Sequence, residues 1–328
     1  MATPALAAAR RHWPDAHVTL AGPAHAGPLL AGAGLHDELV VLPARRAAGW
    51  SGLHAAARRL AAGHHDLGLL LTNSFSSALI MALARVPRRV GYAAGGRSPF
   101  LTQALTRGRE SGFHHRPAPM VEDYFRIVEA VGAPRGDPHY RLGTTDEEER
   151  VALAWMEAVG LDPGGPLFGI HPGSSFGPSK LWYPERFAEV ADAMVERRGG
   201  QVVVFCGPDE AGLARSIAAA ARAPVVTAAD VTLDLGSLKA VIRRLDLLVS
   251  TDTGPRHIGP AFDVPTVVVM GSTDPRFTNT NLGTSIVVRS EVACSPCQLK
   301  VCPIDHRCMT RLGPDQVLAA AGRLLGDT

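Results

Sequence analysis

No apolar run in this 328-residue chain approaches the ~20 residues that a membrane-spanning helix requires, so no spanning segment is expected. Aromatic residues are scarce, at 5%. The net charge of +2 is too small to argue for a nucleic-acid partner. No Gly-x-Gly-x-x-Gly follows any apolar run, which disfavours a nicotinamide-dependent dehydrogenase. The N-terminal segment lacks the charged-then-apolar layout of a secretory signal, because Arg10 and Arg11 interrupt its alanines; a cytoplasmic location is expected. What the chain does have is 46% hydrophobic residues, rich in alanine, leucine and valine. It is also long enough for two domains with separate cores.

Apolar runs alternate with segments of helical period. The expected strands are 17–21, 38–42, 67–71 and 89–92 in the first half, then 167–171, 201–206, 224–227, 245–249, 266–270 and 285–289. The expected helices are 50–62, 76–84, 121–131, 184–197, 209–220, 237–244 and 316–325. Strands alternating with helices imply an α/β fold with parallel sheets and right-handed crossovers. The acidic segment Thr144–Glu149 opens a helix that Thr145 can cap, and that helix ends near Gly160. Asp162-Pro-Gly-Gly-Pro166 follows and marks a boundary. The division expected is an N-terminal domain over 1–143, a linking helix and loop over 144–166, and a C-terminal domain over 167–328. The first half opens on a helix, Met1 to Arg10, whereas doubly wound domains normally open on a central strand whose loop helps form the ligand crevice. That strand is expected to be missing from the N-terminal domain.

Two segments carry chemistry. The run Leu245–Val249 breaks at once into Ser250, Thr251, Asp252, Thr253 and Gly254, followed by a helix-like segment from Pro255 to Phe262. This is a strand–turn–helix corner, where backbone N–H groups and a positive helix end can face an anion. A second corner lies upstream, in His171-Pro-Gly-Ser-Ser-Phe-Gly-Pro-Ser-Lys180. One corner rich in hydroxyls and acid, and one ending in a lysine, point together to a diphosphate attached to a sugar. Arginines concentrate in the first half, at Arg85, Arg88, Arg89, Arg97, Arg107, Arg109 and Arg116. They read either as a solvated face or as a basic surface for an anionic acceptor or lipid headgroups.

These motifs resemble the family 9 glycosyltransferases, in particular their lipopolysaccharide heptosyltransferase branch. The resemblance rests on Thr3-Pro-Ala-Leu6, Thr72-Asn-Ser-Phe75, Arg88–Tyr92, His171–Lys180 with Trp182, Gly207-Pro-Asp-Glu210, Thr251–His257, Gly271-Ser-Thr-Asp-Pro275 and Cys294–Cys308, and so spans both halves. It implies the glycosyltransferase B architecture, two Rossmann-like domains with a cleft between them, donor on the C-terminal domain and acceptor on the N-terminal one. It implies an inverting transfer from ADP-heptose to the inner core of lipopolysaccharide, with no metal required for catalysis. Peripheral contact with the cytoplasmic face of the inner membrane is a further implication.

Carried onto this chain, Lys180 stabilises the departing diphosphate and Ser174 and Ser175 hydrogen-bond its phosphates. Asp252 accepts sugar hydroxyls, because a carboxylate beside a diphosphate is unfavourable, and the Thr253 and Gly254 amides face the diphosphate. His257 is either a phosphate donor or a packing residue. Glu210 holds a ribose diol or merely opens a helix. Asn73, Ser74 and Arg97 are the acceptor-side positions. The base is the departure: in the family a Gly-Asp pair precedes a segment resembling Met1–Leu6. The catalytic aspartate is therefore expected upstream of Met1, and this polypeptide is expected to be inactive or poorly folded. Asp15 lies at the wrong end of the first helix to replace it.

Cys294, Cys297, Cys302 and Cys308, with His306 among them, could close a structural zinc site in a reducing compartment, although their spacing matches no standard zinc pattern. The alternative is a loop of reduced thiols on the acceptor side. Competing functions are a family 9 transferase for another nucleotide sugar and a non-catalytic nucleotide-sugar-binding protein.

Overall fold

The computed structural model describes residues 1–42, 49–107, 109–111, 114–115 and 117–327. They form two compact units, Met1–His139 with Arg276–Thr280, and Tyr140–Pro275 with Asn281–Thr328.

The first unit runs α1 (Thr3–His12), β1 (Thr19–Gly22), α2 (Ala26–Leu30), β2 (Glu38–Val41), α3 (Gly49–Ala62), β3 (Leu67–Leu70), α4 (Phe75–Leu83), β4 (Arg88–Tyr92), β5 (Gln103–Leu105), β6 (Arg109–Ser111), β7 (His114–His115) and α5 (Met120–Glu129). β1 pairs in parallel with β2, and β4 pairs in parallel with both β3 and β5. β6 and β7 form a separate antiparallel pair. The parallel strands thus stand in two pieces, β2–β1 and β3–β4–β5. The strands expected from apolar runs are present; β5 to β7 were not foreseen, because runs of two or three residues carry no periodic signal. One core cluster joins Val40, Leu60, Ile80 and Val86. A second joins Val90, Tyr92 and Ile127.

The second unit runs α6 (Asp146–Ala158), β8 (Leu167–His171), α7 (Pro184–Arg198), β9 (Gln201–Val204), α8 (Ala211–Ala220), β10 (Val225–Thr227), α9 (Leu235–Ile242), β11 (Leu247–Thr251), β12 (Thr266–Val269), β13 (Ser285–Val288), α10 (Arg307–Thr310) and α11 (Pro314–Leu325). Its sheet has the order β10-β9-β8-β11-β12-β13, with every pairing parallel. Every residue of β8, β11 and β12 is buried, as expected for parallel strands covered on both faces by helices. Phe168, Val202, Val249, Val267 and Phe187 lie in its core.

The acidic helix α6 has the cap read from its sequence. Thr145 Oγ1 accepts the Glu148 amide at 3.2 Å and the Glu148 carboxylate accepts the Thr145 amide at 2.9 Å, a capping box. Glu148 also pairs with the fully buried Lys239 of α9 at 3.1 Å, and Glu149 pairs with Arg243 and Arg244. These contacts place α6 inside the second unit rather than in a link. The segment 255–262 is not an α-helix. It forms two short 3-10 turns, Gly254–His257 and Gly259–Phe262, because Pro260 withdraws a donor and Gly259 favours no helix.

The arginine stretch is not a continuous basic surface. Arg97 is fully buried, Arg89 donates to the carbonyls of Phe100 and Val86, and Arg107 pairs with Asp123 at 2.7 Å while lying 4.9 Å over the Tyr92 ring. These three spend their charge inside the first unit. Arg116 and the Arg109 side chain lie outside the described residues. Among the described residues no helix is long and apolar enough to cross a membrane.

Candidate functional site

In the second unit the chain steps from β8 outward through β9 to β10, then returns to lay β11, β12 and β13 on the other side. The order therefore reverses between β8 and β11, and a crevice opens outside the carboxyl ends of strands at such a switch point. Both corners read from the sequence emerge there, after β8 and after β11. A third loop, after β12, joins them.

The loops meet at Asp252. Lys180 Nζ donates to Asp252 Oδ2 at 2.6 Å and to the Asp252 carbonyl at 2.9 Å. Arg256 Nη1 donates to Oδ1 at 2.5 Å, and the Thr273 hydroxyl to Oδ2 at 2.7 Å. The Lys180 and Asp252 side chains are only 12% and 11% exposed, so the pair is poorly screened by water. Burial alone would raise the Asp252 carboxyl, but the Arg256 charge and the hydrogen bonds from Lys180 and Thr273 outweigh it and hold the group far below the usual carboxylate range. Lys180 is one of two cations on a single carboxylate. Both oxygens of Asp252 accept hydrogen bonds from the protein, and so it holds Lys180 and Arg256 in place. Arg256 was missed, although it stands only four residues after Asp252.

Behind this group, Thr251 Oγ1 donates to the Gly173 carbonyl at 2.5 Å and ties the end of β11 to the loop after β8. The Thr253 hydroxyl lies 3.2 Å from His171 Nδ1. Gly254 is exposed, with open space where a side chain would sit, so a ligand can approach its backbone closely. Ser174 accepts the Gly177 amide at the long distance of 3.5 Å, and Ser175 is exposed; both hydroxyls remain available to a ligand. Glu210 accepts the Gly207 amide at 3.0 Å, the helix-opening role weighed for it. Its carboxylate also crowds Gly173, where any Cβ would collide with it, so it stands over the loop after β8.

His257 packs edge-on against Tyr140, ring centroids 5.5 Å apart, the packing role weighed above. Burial and then the Arg256 charge hold its pKa well below 6.5. Burial also lowers His171, against the opposing pull of Glu210. Both are uncharged at neutral pH. Each binds its proton more weakly folded than unfolded, so below about 6.5 the unfolded chain takes up protons that the folded one refuses, and stability is lost as pH falls. Urea unfolding of the second unit should weaken between pH 7 and pH 5 by at most about 1.4 kcal/mol per pH unit for each histidine. His257→Phe should remove its share of that slope; an unchanged slope would show that the ring titrates normally.

The cysteine-rich segment braces the Lys180 loop. The buried Ser179 hydroxyl donates to the Leu299 carbonyl at 2.5 Å and lies 3.0 Å from Ser272 Oγ. The Ser179 amide donates to the Lys300 carbonyl at 3.1 Å, and His306 Nε2 lies 2.9 Å from the Ser179 carbonyl. Gly177 has φ +150°, and a Cβ there would stand 2.6 Å from the Lys300 carbonyl, so only glycine fits. His306 is thus a brace. The five cysteines are free thiols, and among the described residues no group of three or more His, Cys, Asp or Glu side chains could hold a metal ion. Cys308 is drawn into the core, its thiol pushed up by burial and then by the neighbouring Cys294, Cys297 and Cys302, whereas Cys294 is exposed.

The acceptor-side positions gather at the carboxyl end of β3 in the first unit. Ser74 caps α4 by accepting the Ser77 amide at 3.2 Å. Arg97 donates to the carbonyls of Tyr92 and Thr72 and, at 3.1 Å, to Asn73 Oδ1. Buried and spent on carbonyl oxygens, Arg97 shapes this corner from beneath and does not face an anion itself.

Comparison with known proteins bears on the family and the fold. The family model described as glycosyltransferase family 9 (heptosyltransferase) matches residues 53–307, well over half of the chain. A lipooligosaccharide heptosyltransferase 2 of Campylobacter jejuni is 29% identical over 181 residues, covering 53% of this chain and 55% of that relative. A lipopolysaccharide heptosyltransferase 2 of Salmonella typhimurium is 27% identical over 286 residues, 82% of this chain and 78% of the relative. The fold superposes on the structure of the E. coli ADP-heptose LPS heptosyltransferase II with a TM-score of 0.80 at 22% identity, covering 99% of this chain and 94% of that one. Two Rossmann-like units of the glycosyltransferase B type are common to both folds.

Proposed function

Since the chain belongs to glycosyltransferase family 9, we propose that this glycosyltransferase moves a heptose from ADP-heptose to the inner core of lipopolysaccharide, with inversion and without a metal ion. The heptose and the acceptor class come from what the matching relatives are named for, and the ADP-linked donor from the superposed transferase. An acceptor of this kind places the enzyme at the cytoplasmic face of the inner membrane.

One observation carries the donor half of the reading: Lys180 and Arg256, from loops of two neighbouring strands, converge on Asp252 at the switch point. Departure of ADP leaves negative charge on a diphosphate, and a fixed pair of cations in a water-poor crevice stabilises that charge without reorganising. Asp252 keeps the two cations oriented until a diphosphate competes for them. The Thr253 and Gly254 amides and the Ser174 and Ser175 hydroxyls lie on the same loops and supply neutral donors. On the acceptor side, the hydroxyl that attacks must lose its proton to a base, and the corner at Asn73 and Ser74 is where the acceptor would rest.

Calorimetry with ADP, UDP, GDP and NAD tests this reading. Selective ADP binding that is lost in Lys180→Ala is the expected result. A preference for UDP or GDP would keep the fold and overturn the heptose assignment. A folded protein that binds none of the four would favour a non-catalytic role.

A further inference from the structure

The cysteine-rich segment between β13 and α10 turns apolar side chains outward. Leu299, Val301 and Ile304 are 45%, 64% and 56% exposed, and Pro296 and Pro303 beside them are exposed as well. Aliphatic residues scattered singly over a surface need no explanation, but three within six residues form a patch. The loop is well anchored all the same. Ser295 Oγ donates to the Gly271 carbonyl at 2.7 Å, the Gln298 amide donates to the Ser272 carbonyl at 2.8 Å, and Ser179 ties the Leu299 carbonyl and the His306 ring to the Lys180 loop. Gln298 and His306 take up left-handed backbone, with φ +57° and +55°, a conformation that costs any residue bearing a Cβ and persists only where its surroundings fix it. The anchoring hydrogen bonds face inward and the apolar side chains are left to solvent. Such a tip is ordered in advance, so docking it costs little further entropy.

Charge decides which partner fits. Across 289–311 the cationic side chains are Arg289, Lys300, Arg307 and Arg311, and the carboxylates are Glu291 and Asp305. Asp305 is taken up by Arg307 at 2.9 Å. Lys300 stands between Leu299 and Val301 and is exposed. Arg311, also exposed, lies one helical turn beyond Arg307, its amide donating to the Arg307 carbonyl at 3.2 Å. Aliphatic side chains interleaved with cations suit a lipid–water interface that carries negative headgroups. A specific protein interface needs about 800 Å² of complementary surface on each partner, whereas a bilayer yields around a small tip. We propose that the loop 296–304 is a lipid-docking element: Leu299, Val301 and Ile304 enter the headgroup–acyl boundary of an anionic bilayer while Lys300 and Arg311 meet its phosphates. The proposal rests on the reading that the acceptor is a lipopolysaccharide, and it names the surface by which the donor-binding unit reaches a lipid-borne substrate. The Leu299 and Lys300 carbonyls are both bonded to Ser179, next to Lys180, so docking of the loop brings the diphosphate crevice to the lipid surface.

Vesicle flotation of the full chain tests the proposal, with vesicles of phosphatidylcholine alone and of phosphatidylcholine mixed with phosphatidylglycerol. The wild type should partition preferentially into the anionic vesicles, and the preference should weaken as salt rises. Val301→Ser combined with Ile304→Ser should lower the partition coefficient at least about ten-fold, and Lys300→Glu should lower it for the anionic vesicles alone. Val301 and Ile304 are exposed, so the double variant should keep the wild-type Tm and the wild-type affinity for ADP. Ile304→Trp gives a direct readout, since it should add emission that brominated acyl chains quench. Equal flotation of wild type and double variant, a wild type that stays off both vesicles, or an Ile304→Trp emission untouched by brominated lipid overturns the proposal. Self-association of the wild type that is lost in the double variant, with vesicle binding unaltered, assigns the patch to a second copy of the chain and overturns it too. Flotation is read without nucleotide, so it decides the role of the loop even where ADP binding fails, and the two readings fail separately.

Discussion

Replacing Lys180 by alanine should lower the rate of transfer about 10²–10³-fold while leaving the fold in place. The magnitude is that of losing one preorganised group aimed at charge that develops in the transition state. Lys180 suits that role because its ammonium sits at the switch-point crevice, 12% exposed, held by the Asp252 carboxylate and carbonyl and lying 4.9 Å over the Phe176 ring. Its contacts are polar and belong to loops, so the strands of the second unit do not depend on it. Arginine at this position keeps the charge but not the compact geometry, and should recover only part of the rate. The measurement is ADP release from ADP-heptose in the presence of acceptor, together with circular dichroism to confirm folding. A change of less than about three-fold, under 1 kcal/mol, would remove Lys180 from the leaving-group side of the reaction.

Asp252→Ala should instead act on stability, destabilising the second unit by about 3–5 kcal/mol. The carboxylate is the shared counter-ion of Lys180 and Arg256, and Arg256 is 4% exposed. Deleting the anion leaves two cations side by side with little water to screen them, a large loss beside a typical total stability of about 5–15 kcal/mol. The same coupling fixes the response of the wild type to acid. Because the folded pKa of Asp252 is depressed, its contribution is complete above the ordinary carboxylate pKa of ~3.9 and is lost as the pH falls from there toward the folded value. Urea unfolding of Asp252→Ala at pH 7 checks the size. A loss below about 1 kcal/mol would mean that the three charges are as well solvated as an exposed pair. Double replacement with Arg256→Met should recover part of the stability, since the uncompensated charge is what costs.

The two predictions differ because Lys180 and Asp252 differ in what their removal leaves behind. Without Lys180, Asp252 still has Arg256 and Thr273. Without Asp252, both cations lose their anion. Only the structure draws that distinction, since in the sequence both residues appear as equal members of two loop motifs.

What could be read from the sequence was local. The strand and helix runs follow from apolar periodicity, which any stretch of a dozen residues displays by itself. The cap at Thr145 and Glu148 depends on residues three apart. The placing of both chemical corners at strand ends follows from apolar runs that stop abruptly at glycine and hydroxyl residues. The resemblance to family 9 was equally legible, because its motifs are short and contiguous. Arg256 was within reach through its spacing from Asp252.

Tertiary structure alone decided the pairings that cross the chain. The Lys180–Asp252 bond joins residues 72 apart, Ser179 and Leu299 are 120 apart, and the burial of Arg97 beneath the Asn73 corner depends on carbonyls from separate loops. Nor does any local pattern tell that Cys308 enters a core while Cys294 stays exposed. Periodicity and capping are properties of neighbours in the sequence, and so are inherited directly from it. Which charge meets which, and where a sheet is left open between two edges, depends on how strands far apart in the chain are ordered in space, and only the folded chain sets that order.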